Sequence, residues 1–213
     1  MTSVAKTGAY GDIAPPAAST TVPLPLPIQT TLKDGTPVIL TQVNVANEES
    51  ATLATLQSML NHEIAQGDTY PHEFEMDEVA FKAYFLSGSA FMLTDLDRKT
   101  IMGTFYVKPN YPGRCSEICN GGFITHKDWR GKGVGKILGK AFLVLAPKLG
   151  YKGSVFNLVF ETNVASVNLW RSLGFHEVGR IPKAGRLKGH GQRVTAIVFH
   201  YDFETLPHGG YTM

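Results

Sequence analysis

The chain has 213 residues, 43% of them hydrophobic, enough to bury a substantial core in one α/β domain with an N-terminal extension. A formal charge of +2 with scattered basic residues argues against nucleic acid as a partner, whereas a phosphate-bearing small molecule needs only a local positive site. Cys115 and Cys119 cannot complete a four-ligand zinc site, and neither a bilayer-length apolar stretch nor a leader-like segment is apparent; the expectation is a soluble cytoplasmic protein with free thiols and no metal.

Residues 1–35 are rich in Ala, Thr, Pro and Gly, with Pro-Leu-Pro-Leu-Pro at 23–27, which predicts a flexible arm ahead of a domain at 36–213. A strand is predicted over 37–43. A helix follows over 48–65, where Leu53, Leu56, Leu60 and Ile64 recur at helical spacing. The segment GDTYPHEFEMD ends it, a short second helix occupies 78–86, and this region is suited to form one wall of a substrate pocket. Runs at 90–94 and 101–107 flank DLDRK as a hairpin, and KPNYPGRC leads into a strand at 119–125. The order then alternates: helix 133–149 closed by Gly150, strand 154–160, helix 163–173 ended by Gly174, and strands 175–181 and 193–202. A mixed sheet flanked by helices accounts for this order.

Between strand 119–125 and the helix at 133 lies HKDWRGKGVGK. Gly131, Gly133 and Gly135 let main-chain N–H groups approach a ligand, and a helix N-terminus adds unsatisfied donors with positive partial charge, so the junction suits a pyrophosphate. Lys132 and Lys136 add charge. A P-loop needs Gly-Lys-Ser/Thr, which is missing, and the dinucleotide fingerprint counted from Gly131 needs glycine where Lys136 stands.

This loop resembles the GNAT acetyltransferase signature R/Q-x-x-G-x-G/A, matched by Arg130, Gly133 and Gly135. About thirty residues on, NVASVNLWRSLGF at 163–175 is similar to the family's N-x-x-A/S-x-x-L-Y-x-x-L-G-F segment. The resemblance covers roughly residues 36–203 and implies the GNAT α/β (α+β) fold: a central mixed, mostly antiparallel sheet flanked by helices. It implies acetyl-CoA as co-substrate and a V-shaped gap between strands 119–125 and 154–160, where the pantetheine would pair with Phe123, Ile124 and Thr125. Arg130, Gly131, Lys132, Gly133, Val134, Gly135 and Lys136 would hold the pyrophosphate. The strings GTFYVKPNYPGRCSEICNGGF and LGYKGSVFNLVFETNVAS further resemble fungal N-acetyltransferases that detoxify L-azetidine-2-carboxylate and related proline analogues. That likeness implies Asn120 and Asn157 as substrate-binding or catalytic residues, Asn163 and Ser166 as CoA contacts, and a cytoplasmic homodimer linked to stress tolerance through proline metabolism.

Acetyl transfer needs a neutral amine, a polarised thioester carbonyl and a stabilised leaving thiolate. A free N–H at Ile124 or Thr125 is the expected oxyanion donor. Many GNAT enzymes place a tyrosine where this chain has Trp170, and an indole is no practical acid, so Trp170 is read as packing beside the cofactor. Asn120 and Asn157 orient groups and do not take protons. Glu117 is read as a solvated loop carboxylate, His126 as a turn residue and Cys119 as a buried thiol. The expected reaction is direct attack of a small amino acid's amine on acetyl-CoA. Its rivals are a GNAT enzyme with another acceptor, such as a polyamine, an aminoglycoside or a protein, and a catalytically silent CoA-binding module.

Overall fold

The computed structural model describes residues 23–206. In chain order its main elements are β1 (Ile28–Thr31), β2 (Pro37–Gln42), α1 (Ser50–Gln66), α2 (Glu78–Phe85), β3 (Ser89–Thr94), β4 (Ile101–Pro109), β5 (Ile118–Thr125), α3 (Val134–Lys148), β6 (Gly153–Phe160), α4 (Val164–Ser172), β7 (His176–Gly185) and β8 (Val194–Asp202). The strands form one eight-stranded sheet in the order β1-β2-β3-β4-β5-β6-β8-β7. β5 and β6 run parallel, and every other neighbouring pair is antiparallel.

Side-chain alternation sorts two apolar layers onto the two faces of this sheet. Ala90, Met92, Tyr106 and Ile124 meet Leu56, Leu60 and Ile64 of α1 and Phe81 and Phe85 of α2. On the opposite face Phe91, Leu93, Phe105 and Val107 join Leu138, Phe142 and Leu145 of α3 and Trp170 of α4. The residues that gave α1 its helical periodicity are thus the ones it buries. α1 closes on Gly67 at φ 70°, and α2 opens under Asp77, whose Oδ1 accepts from Ala80 N at 2.8 Å.

The sheet begins earlier than the composition suggested. Ile28–Thr31 pairs antiparallel with Pro37–Gln42, Leu32 is buried, and Leu24 and Leu26 pack against the larger core. The leucines of the Pro-Leu repeat have apolar surface to cover, and this outweighs the disorder-prone composition. The remainder of the expected arm, residues 1–22, lies outside the described residues.

The join between β5 and β6 positions the site. These strands pair only at Ile118–Gly153 and Cys119–Ser154, and then separate. β6 stays attached to β8, with its register shifted between Phe156 and Val159, so Asn157 and Leu158 lie in an irregular step of the strand. Such a step bends a strand and re-aims its side chains.

Candidate active site

Beyond Cys119 the splayed strands border a cleft of about 830 Å³ that runs from the tyrosines of the α1–α2 side to the first turn of α3. Asn110 N donates to Ile118 O at 2.8 Å, and His126 N donates to Met102 O at 2.9 Å, so even-numbered residues at both ends of β5 bond toward β4. Alternation turns the main-chain groups of Phe123 and Thr125 toward the gap and commits those of Ile124 to β4. Of the two oxyanion donors expected from the sequence, Thr125 therefore faces the gap and Ile124 does not. Ile124 lines the cleft without offering its amide.

At the far end of β5, Gly133 caps α3 at φ 94° with no side chain to occupy the helix's first amides. A Cβ there would lie 3.0 Å from Lys33 Cγ, and the left-handed backbone strains any other residue. Gly131, Gly133, Val134, Gly135 and Lys136 line the cleft, so the amides at the start of α3 and the helix's positive end face it together, with Lys136 N alone of these already donating to Gly133 O at 3.1 Å. Arg130 also lines it, but its guanidinium is ion-paired with Glu63 of α1. Lys132 departs from expectation: its Nζ sits 4.2 Å from the Trp129 ring centroid, and the residue is not part of the cleft wall. The aromatic face gives that cation a partner.

Asn120 and Asn157 both line the cleft, one on each strand. Asn120 Oδ1 accepts from Gly121 N at 2.8 Å, leaving its Nδ2 as a donor. Asn157 is locked in a reciprocal amide pair with Asn110, at 3.0 and 2.7 Å. Asn110 went unnoticed in the sequence because it sits in a turn-like KPNYPG string; its signal was the need of Asn157 for a partner. Asn163 Oδ1 caps α4 by accepting from Ser166 N at 3.2 Å, and Ser166 Oγ accepts from Trp170 Nε1 at 2.9 Å. All three line the cleft, and Trp170 packs on Phe123 and Phe156, as its reading as a packing residue required. Glu117 is exposed and away from the cleft, His126 Nδ1 accepts from Asp128 N within a turn, and burial pushes the Cys119 thiol well above its ordinary pKa.

Sequence patterning missed the aromatic wall opposite α3. Tyr70, Tyr84 and Tyr106 line the cleft, and the hydroxyls of Tyr84 and Tyr106 lie 3.2 Å apart. Gly122 makes room for this pair, since a Cβ there would stand 2.4 Å from the Tyr106 ring. Lys108, the cross-strand partner of Asn120, holds Nζ 4.1 Å and 4.4 Å from the Tyr84 and Tyr106 ring centroids and donates to Tyr84 O at 2.9 Å. Burial raises the pKa of all three tyrosines and lowers that of Lys108 to about 8.

The lysine shift has a consequence for stability. The folded protein releases this proton near pH 8, while the unfolded chain keeps it to about 10.5, so the folded state binds fewer protons in between. Stability contributed through Lys108 therefore rises with pH across that interval. The stability of wild type relative to Lys108→Met is expected to increase from pH 8 toward pH 10, as read from paired denaturant titrations. A difference that stays flat or shrinks contradicts the buried-cation reading.

Among the described residues no cluster of three or more His, Cys, Asp or Glu suits a metal ion, and no helix is long and apolar enough to cross a membrane. Residues 56–175 match the model of the acetyltransferase (GNAT) family. The chain is 41% identical over 179 residues to N-acetyltransferase aca1 of Schizosaccharomyces pombe, covering 76% of this chain and 85% of that protein. A GCN5-related N-acetyltransferase from Kribbella flavida superposes with a TM-score of 0.70 at 26% identity, covering 78% of this chain and 97% of its own. A phosphinothricin acetyltransferase of Sinorhizobium meliloti, solved with acetyl-CoA, has a TM-score of 0.66 at 17% identity over 78% of this chain and 88% of its own, a likeness of fold. Signature loop, splayed strands, family match and curated relative agree: the chain belongs to the GNAT acetyltransferase family and is an acetyltransferase that uses acetyl-CoA.

Proposed function

We propose that the acceptor is the amine of a small amino acid, with proline analogues such as L-azetidine-2-carboxylate and cis-4-hydroxyproline as the leading candidates, acetylated by direct attack. The observation that carries this reading is the chemistry of the acceptor end of the cleft. There the polar groups are the amides of Asn120 and Asn157 and the tyrosine hydroxyls, with the Lys108 cation behind them. Of the two acidic lining residues, Glu63 is neutralised by its ion pair with Arg130 and accepts from Thr69 Oγ1 at 3.2 Å, and Asp68 is exposed. Amide and hydroxyl donors backed by a cation favour an acceptor bearing a carboxylate and disfavour a polyamine.

The β7–β8 connection supports a small acceptor. Lys188 N donates to Gly67 O at 2.8 Å and its Nζ donates to Ala65 O at 2.7 Å, tying this connection to the end of α1. A strap there, with His190 of the same connection lining the cleft, narrows access for a polypeptide.

Acetyl-CoA supplies the activated acetyl group. Thr125 N offers a donor to the carbonyl oxygen, and Asn120 and Asn157 fix the acceptor so that its neutral nitrogen faces the thioester carbon. Trp170 spends its N–H on Ser166 and is no acid, so the departing thiolate takes its proton from solvent, and solvent also accepts the proton that the acceptor's nitrogen sheds as the C–N bond forms and the C–S bond breaks. The resemblance to the proline-analogue enzymes extends this reading to a cytoplasmic homodimer with a detoxifying role.

An acceptor screen that monitors thiol release tests the assignment. Release with azetidine-2-carboxylate or cis-4-hydroxyproline, and none with their carboxamides or with spermidine, is the expected result. Turnover confined to polyamines, aminoglycosides or protein N-termini contradicts it.

A further inference from the structure

The family match begins at residue 56, yet the turn between β1 and β2 reaches the phosphate loop from outside that span. Leu32 anchors this turn in the core, and Leu32 N donates to Thr36 O at 2.9 Å. Asp34 Oδ1 accepts from Thr36 N at 3.0 Å, and Gly35 N donates to Leu32 O at 3.0 Å. The turn is therefore fixed on both sides of Lys33. Lys33 N donates across to Lys132 O at 3.4 Å, joining the turn to the glycine loop itself.

The Lys33 side chain then runs over Gly133. Its Cγ, Cδ and Cε would lie 3.0, 3.5 and 3.5 Å from a Cβ at that glycine, so the stem crosses the entrance to α3. Lys33 lines the cleft together with Gly131, Gly133, Gly135 and Lys136. Two of the basic residues that the loop itself supplies are occupied elsewhere, Arg130 by Glu63 and Lys132 by Trp129. Among the described residues no ion pair joins Lys33.

We infer that Lys33 is a cofactor-binding residue, its ammonium pairing with the diphosphate of acetyl-CoA as that group settles on the amides of the Gly133 loop. An ammonium opposite a diphosphate makes a charge-assisted contact that main-chain donors alone do not provide. The N-terminal turn is thereby part of the cofactor site, and its loss would affect acetyl-CoA before it affected the acceptor. This inference rests on acetyl-CoA use and is independent of which amine is acetylated.

Calorimetric titration of three donors separates the alternatives: acetyl-CoA, acetyl-dephospho-CoA without the 3′-phosphate, and acetyl-pantetheine without any phosphate. Lys33→Met keeps the stem over Gly133 and removes the charge. It is expected to weaken acetyl-CoA and acetyl-dephospho-CoA equally, by about tenfold, and to leave acetyl-pantetheine unchanged. Lys33→Arg restores most of the loss, and kcat at saturating acetyl-CoA stays at the wild-type value while KM rises. A loss confined to acetyl-CoA would assign the contact to the 3′-phosphate and overturn the diphosphate assignment. Equal weakening of all three donors would reduce Lys33 to a packing role and overturn the inference, as would no weakening at all. Wild-type binding of acetyl-CoA in the same titrations keeps a failure of this inference distinct from a failure of the cofactor site.

Discussion

Asn157→Ala is expected to lower kcat/KM for the acceptor about 100-fold while acetyl-CoA affinity stays within about threefold of wild type. Asn157 stands in the irregular step of β6, where the strand loses its regular register with β8, and across the splay from Asn120. Its amide is held by the reciprocal pair with Asn110, whose main chain closes the first rung between β4 and β5. One substitution removes the group proposed to face the acceptor, and Asn110→Ala removes only what orients it. Asn110→Ala should therefore show the smaller loss, about tenfold, with the same unchanged acetyl-CoA affinity. Thiol-release kinetics at saturating acetyl-CoA, paired with calorimetry, separate the two effects. A larger loss for Asn110→Ala, or a parallel loss of acetyl-CoA affinity, would move Asn157 out of the acceptor site.

Gly133→Val is expected to weaken acetyl-CoA binding by about 30-fold or more. The position combines a left-handed backbone at φ 94° with the Lys33 stem 3.0 Å from any Cβ, so a branched side chain distorts the loop whose amides face the cleft. Gly135→Ala supplies the contrast within the same loop. A Cβ there meets Leu169 Cδ2 at 3.6 Å and Thr125 Oγ1 at 3.8 Å, both ordinary contacts. Affinity for acetyl-CoA is expected to stay within about threefold of wild type in that variant, in line with the alanine that the family signature accepts there. Equal losses in the two variants would show that the loop responds to any added methyl group and that the backbone of Gly133 has no special part.

Helices α1 and α3 were legible because burial follows sequence period directly. Leu53, Leu56, Leu60 and Ile64 face the sheet, and Val134, Leu138, Ala141, Phe142 and Leu145 form the buried stripe of α3. β1 was not legible: IQTT has little alternation, and the strand is held by pairing with β2 and by the buried Leu32 next to it. Three glycines at a strand-to-helix junction also suit a plain chain reversal, and the loop was legible because Arg130, Gly133 and Gly135 match one family motif while NVASVNLWRSLGF at 163–175 matches a second about thirty residues on. What its charges do was only half legible, since Arg130 finds Glu63 from 67 residues away and Lys132 finds Trp129 close by. A long-range partner such as Glu63 leaves no mark in local patterning.

The acceptor side shows the same limit more strongly. Asn157 stood out as a polar interruption in an apolar strand, but its partner Asn110 is 47 residues away. Tyr84 comes from α2, Tyr106 and Lys108 from β4, and Tyr70 from the segment between the first two helices; only the folded sheet brings them to one wall. The region of the first two helices, expected to wall a pocket, supplies Tyr70 and Tyr84 to the cleft, whereas Tyr106 and Lys108 are placed by the cross-strand register of Tyr106 with Gly122 and of Lys108 with Asn120.

A crystal structure of the protein with acetyl-CoA tests the account most directly. It predicts the diphosphate on the main-chain N–H groups of residues 131–136, and the acyl arm between β5 and β6 with its acetyl carbon beside Asn120 and Asn157. A diphosphate bound away from the start of α3, or an acyl arm outside the splay, would contradict it.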